Sequence, residues 1–203
     1  MNPTKVKIEE YLNSLPSELF PLKEAGRRYL KYCCAIDTDE SVHIAHRPWV
    51  APLNYAMTFF SPAKKVWIKR FEIKRIPEPY QEILLATNGL FAFGISLFGL
   101  APSMQLSPPR LDRSRLQCLD ISLANNDWIG RYEVDQDLFH FGSREFSYTE
   151  NTGYFMTDES KIQSYRTSGE LVQEWKGLSE FLEHELCIAE QIAKEQMAED
   201  WWC

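Results

Sequence analysis

Apolar residues recur at Ile8, Tyr11, Leu12 and Leu15, the spacing of an amphipathic helix, and Pro16 ends that run. A second helical piece is predicted over Leu22 to Tyr32. Residues 37–58 contain Pro48 and Pro52, show no clear period and read as a long connection. Ser61-Pro62 reads as a helix start, since serine accepts a backbone N–H and proline suits the first helical position. That helix would run to Ile73 with Val66, Trp67 and Phe71 inward. Another begins at Pro79, with Tyr80, Ile83, Leu84 and Thr87 on one face and Gly89 closing it in a left-handed conformation.

The period then shortens. Strands are predicted at Leu90–Phe93, Ile95–Phe98, Leu116–Leu123, Ile129–Val134, Leu138–Phe141, Phe146–Tyr148, Tyr154–Met156 and Lys161–Arg166. Polar or glycine turns separate several of them: Asn125-Asn126-Asp127, Gly142-Ser143, Asn151-Thr152-Gly153 and Ser168-Gly169. Short connections favour antiparallel neighbours. A last helix follows, with Ser179 as its cap and Leu182, Leu186, Ala189, Ala193 and Met197 as its apolar stripe. Glu180 and Glu183 suit its positive end. Helices, then an antiparallel or mixed sheet, then a closing helix is an α+β order. Residues 1–58 are expected to be a helical or irregular extension packed on a single compact unit, 59–203.

Composition supports a folded chain: 44% of the 203 residues are hydrophobic and 13% aromatic. Charge divides it. Residues 1–120 carry 16 basic and 12 acidic residues, whereas 121–203 carry 6 and 17. The acidic part disfavours nucleic acid and favours a basic protein partner. Five irregularly spaced cysteines argue against a disulfide framework. The polar start, Met1 to Glu10, lacks the apolar stretch of a signal peptide, so a cytoplasmic location is expected. The uncharged run from Ile83 to Pro109 is broken by Asn88-Gly89, Gly94 and Gly99, which fits protein core better than a membrane span.

The search for reactive chemistry is less productive. Cys33, Cys34, His43 and His46 have zinc-binding residue types, but adjacent cysteines are awkward ligands for one tetrahedral ion. Gly94 to Gly99 has phosphate-loop glycine spacing but is followed by Leu100 where lysine is needed. Asp135 and Asp137 would share one face of a strand, yet they lie in a broadly acidic segment. His140, between Phe139 and Phe141, takes the opposite strand face from them. Cys187 beside the last stripe reads as a buried structural thiol. No catalytic residue, metal or cofactor is expected; an unfamiliar active site is the remaining enzymatic reading.

The run from Ile76 to Leu100, IPEPYQEILLATNGLFAFGISLFGL, resembles the SUKH superfamily, the Smi/Knr-like group. Pro77, Tyr80, Ile83, Leu84, Asn88, Gly89, Phe93, Leu97, Phe98 and Gly99 occupy the places of its proline, aromatic, apolar helix, Asn-Gly and apolar strands. LDISLANNDW, FHFG, TGYF, IQSY and WKGLSEFLEHEL resemble its later strands and closing segment, so coverage is about residues 60–193. The resemblance implies a SUKH-like fold and a function through protein contacts. Bacterial members are commonly immunity proteins that neutralise toxins, often nucleases; eukaryotic relatives act as signalling or cell-wall regulators. Joined to the charge division, it implies a docking surface for a basic toxin at Asp135, Asp137, Glu145, Tyr148, Glu150, Tyr154, Asp158 and Glu159, with the tyrosines as anchors. A regulatory or scaffold protein without a toxin is the alternative.

Overall fold

The computed structural model describes residues 2–46, 55–100, 118–126, 132–147 and 150–196. The chain is an α+β protein. Among the described residues, nine strands form one antiparallel sheet in sequential order: β1 (Cys34–Ile36), β2 (Val42–His46), β3 (Tyr55–Phe59), β4 (Leu90–Ala92), β5 (Ile95–Leu97), β6 (Phe139–Ser147), β7 (Glu150–Met156), β8 (Ile162–Arg166) and β9 (Leu171–Trp175). Helices α1 (Pro3–Ser14) and α2 (Phe20–Tyr29) precede the sheet, α3 (Lys65–Lys69) and α4 (Glu78–Ala86) interrupt it, α5 (Ile121–Asn126) precedes β6, and α6 (Leu178–Gln196) closes the chain.

The expected boundary at residue 58 falls inside β3. Residues 1–58 are woven into the fold: they supply β1, β2 and most of β3, and Ile8, Leu12, Leu22 and Ile44 share one core with Leu84, Ile95 and Phe181. Val42, His43, Ile44 and Ala45 of β2 are all buried. The tip between β2 and β3, with Pro48 and Pro52, lies outside the described residues.

Asn2 caps α1 by accepting the Thr4 amide at 2.9 Å, and the helix ends before Pro16 as its period requires. The helix expected from Ser61 shrinks to α3. Its later start leaves Val66 40% exposed while Trp67 and Phe71 stay buried. The helix expected from Pro79 begins one residue earlier and buries Tyr80, Ile83 and Leu84. Thr87 lies just past its end, and Gly89 follows at φ +83°. A Cβ on Gly89 would meet the Leu97 carbonyl oxygen at 2.7 Å, so both conformation and space require glycine.

Several expectations change in the later half; Asn151-Thr152-Gly153, expected as a turn, lies inside β7, where it pairs with both β6 and β8. The part of Leu116–Leu123 that is described enters α5, because Asp120 accepts the Ser122 amide at 2.8 Å and so starts a helix. Residues 132–134 form loop, and strand order resumes at Phe139. Gly142-Ser143 is no turn: β6 runs through it, with Phe141 as the extra residue of a bulge, and glycine lets β5 approach closely. β9 was not expected, since its first four residues are exposed and carry no burial alternation.

α2 packs on α6, and α6 lies against β5 and β9. Phe181 of α6 meets Phe141, Tyr154 and Trp175 edge-on. On the opposite sheet face His140 stacks on Phe155, with ring centroids 4.4 Å apart, and Asn125 of α5 clamps the His140 backbone. Ser179 lies inside α6, not at its cap; Glu180 instead accepts the Lys176 amide at 2.9 Å. Met197 lies outside the described residues. Cys187 is exposed, contrary to its expected burial, because it lies off the buried Leu182–Leu186–Ala189 stripe. Among the described residues no helix is long and apolar enough to cross a membrane.

Candidate functional site

The expected docking residues that are described do not form one surface. Asp135 and Asp137 are exposed in the loop entering β6, and Asp158 and Glu159 are exposed in the turn leaving β7. These two segments meet because Phe139 pairs with Met156. Glu145 and Glu150 belong to the other end of the same hairpin, where Ser147 pairs with Glu150. At about 3.3 Å per residue the two ends lie roughly 25 Å apart. Tyr148 lies outside the described residues.

Tyr154 is a core residue, not a surface anchor. Its side chain is fully buried, packs on Phe181 and donates its hydroxyl to Glu185. Burial first, and the Glu185 charge second, push its hydroxyl well above the usual tyrosine range. Arg144 donates to Glu185 at 2.6 Å, so the buried carboxylate is paired. This cluster ties α6 to β6 and β7.

The acidic corner that does assemble is organised by a residue whose role was not visible in the sequence. Lys74, between α3 and α4, donates to the carbonyl oxygens of Gln136 and Leu138. Asp137, Asp135 and Asp158 all surround its ammonium closely enough to favour its charged form, although burial is the larger influence and lowers its pKa. Asp135 accepts the Asp137 amide at 3.0 Å, which folds the loop so that both carboxylates remain exposed. Glu159 is partly neutralised by Lys161 at 2.8 Å. The corner thus holds four carboxylates against two lysines, while Glu133 is tied through its amide to Thr167 at the β8–β9 turn. A single lysine side chain reaching across 62 and 64 residues of sequence leaves no periodic signal that could have revealed it.

Other side-chain groups have clear structural employment. Asp37, His43 and Thr58 form a row in the order of a proton relay, at 3.2 and 3.0 Å. Thr58 is 1% exposed, so its hydroxyl is out of reach of a substrate. Cys34 Sγ lies 3.4 Å from the Tyr32 carbonyl oxygen, and Cys33 is exposed. Burial holds the Cys118 thiol up at about 12, which makes it a poor nucleophile. A groove of about 570 Å³ beside β1 is lined by Pro3, Thr4, Lys7, Cys34, Ala35 and Ile36, remote in the sheet order from the acidic corner. Among the described residues no three His, Cys, Asp or Glu side chains converge as metal ligands.

The Asn-Gly motif is structural. Asn88 donates to the Leu100 carbonyl oxygen at 2.9 Å and accepts the Leu100 amide at 2.7 Å. Asn125 holds His140 in the same way, at 2.7 and 3.0 Å. Fold and surface together define an α+β meander with an exposed acidic corner. No protein-family model, curated protein or solved structure matches the chain.

Proposed function

We propose that this chain is a non-catalytic, cytoplasmic protein-binding module of the SUKH type, an immunity protein that binds a basic toxin such as a nuclease and neutralises it. The observation that carries the reading is the corner formed by Asp135, Asp137, Asp158 and Glu159, which is exposed, preorganised by Lys74 and short of counter-charge. A fixed array of carboxylates steers a basic partner and occupies the groove such a protein offers to phosphate. The order of Pro77 at the start of α4, buried Tyr80 and the Asn88-Gly89 turn before β4 supports the family resemblance. The docking set is narrowed accordingly: Tyr154 leaves it, and Glu145 and Glu150 belong to a different end of the hairpin.

The test is co-expression with the toxic product of the adjacent gene, together with a pull-down from purified components. Rescue of growth and a stable complex are expected. A functional toxin that neither binds nor is silenced rejects the immunity reading.

A further inference from the structure

β9 ends the sheet, and its outer side has no partner strand among the described residues. Leu171, Val172, Gln173 and Glu174 are all exposed, the first two at 49% and 44%. The Arg166 amide donates to the Glu170 carbonyl oxygen at 3.0 Å, which makes these two a hydrogen-bonded pair. The next pair, Tyr165 with Leu171, is then a non-bonded one. The Leu171 N–H and C=O therefore point away from β8, toward solvent. Proteins usually blunt such an edge with lysine, proline, inward charge or a β-bulge; a bulge at Val172 does bend this one, but the edge presents leucine and valine and leaves Leu171 accessible.

The surroundings of the edge specify what fits it. Tyr165 shares a sheet face with Leu171 and packs edge-on against Phe155 at 5.6 Å. Glu174 and Asp135 both act on its hydroxyl, so the acidic loop reaches this face. The Glu133 amide donates to the Thr167 carbonyl oxygen and ties that loop to the β8–β9 hairpin. Unpaired backbone groups at Leu171, a leucine–tyrosine pair and the carboxylates of Asp135 and Glu174 thus bear on one face of the edge, while Glu170 is turned to the other face and pairs with Arg166 at 3.5 Å. A second copy of the chain would bring the same carboxylates against themselves. A basic strand with one apolar side chain matches all three features.

We propose that β9 accepts an extended, basic segment of the partner protein as an added strand, with its backbone bonded to Leu171 and its Lys or Arg side chains facing Asp135 and Glu174. This deepens the binding reading above and rests on it.

The test titrates the full chain with a short amidated peptide of alternating Lys and Val while amide exchange is followed residue by residue. Exchange at Leu171 should slow by about tenfold or more at saturation. A peptide of alternating Glu and Val should leave it unchanged. Leu171→Pro removes the outward N–H but no bond to β8, and should abolish the response with thermal melting unchanged. Should that variant fold poorly, Leu171→Lys, which places a like charge at the edge, should weaken the response instead. Shifts at residues 133–137 without slowing at Leu171 would overturn strand addition and leave the acidic docking surface standing. Protection that appears without peptide and rises with chain concentration would assign the edge to a second copy and also overturn it. Loss of toxin binding with the peptide response intact would reject the immunity role alone.

Discussion

The Lys74 ammonium lies 2.6 Å from the Leu138 carbonyl oxygen, and through that contact one cation fixes the loop that carries Asp135 and Asp137. Because Lys74 also donates to Gln136, two loop carbonyls lose their partner in Lys74→Met. The expected outcome is a loss of about 1 kcal/mol in urea unfolding, with faster amide exchange confined to residues 133–138. Unchanged exchange there would show that the loop holds its shape without the lysine.

Steering by the acidic corner gives a positional contrast. Asp135→Lys, Asp137→Lys and Asp158→Lys together should slow association with a basic partner by about tenfold at low salt, and by less at high salt. Glu145→Lys with Glu150→Lys, roughly 25 Å away, should leave the rate nearly unchanged. Stopped-flow association across a salt series checks both, and equal effects from the two sets would contradict the division of the surface.

Asn88 serves Leu100 as a strand neighbour would, with one donor and one acceptor at 2.9 and 2.7 Å. Asn88→Ala should cost about 2 kcal/mol, because it strands buried backbone groups. Asn88→Asp keeps the acceptor, loses the donor and should also destabilise the chain. Chemical denaturation of the pair measures this; a cost near zero for both would mean that the clamp is dispensable.

His140 sets a pH dependence. It is fully buried among Phe98, Tyr132 and Phe155, and burial lowers its pKa to about 4, against the ordinary 6.5. Between those values the unfolded chain binds a proton that the folded chain refuses. Its contribution to stability is therefore complete above pH 6.5 and falls as the pH drops toward 4, by about 3 kcal/mol in total. Stability measured against pH should show that loss in the wild type and a shallower one in His140→Phe. Identical slopes would exclude His140 as the source.

The buried Arg144–Glu185 pair predicts non-additivity. Arg144→Met leaves the Glu185 carboxylate in the core with Tyr154 as a donor and should cost about 3 kcal/mol. Adding Glu185→Gln should recover part of that loss. A double-mutant cycle gives the coupling, and simple additivity would show that the two side chains do not interact.

Much of the fold was legible where the determining contacts are local. The period ending at Pro16, the Pro79–Gly89 helix with its exit turn, and the long apolar stripe of α6 all express one helix face and its stops. Where distant partners decide, the local pattern misled. Val42 and Ile44 are too short an alternation to outweigh Pro48 and Pro52, yet pairing with Tyr55–Phe59 makes them a strand. Gly142-Ser143 has turn chemistry, but β5 and β7 on either side keep it extended. Ile121 looks strand-like until Asp120 caps a helix at that point.

The candidate surface divided in the same way. Its charge was readable because composition needs no folding: 17 acidic residues against 6 basic ones over 121–203. The sequence by itself determined the α+β order, the excess negative charge and the turn residues, since each depends on neighbours a few positions away. Only the tertiary structure decided that Asp135, Asp137 and Asp158 converge on Lys74, that Tyr154 is sealed against Glu185 and that β9 ends the sheet among the described residues. Strand pairing and burial join residues that sequence distance keeps apart, and no local periodicity encodes which of them will meet.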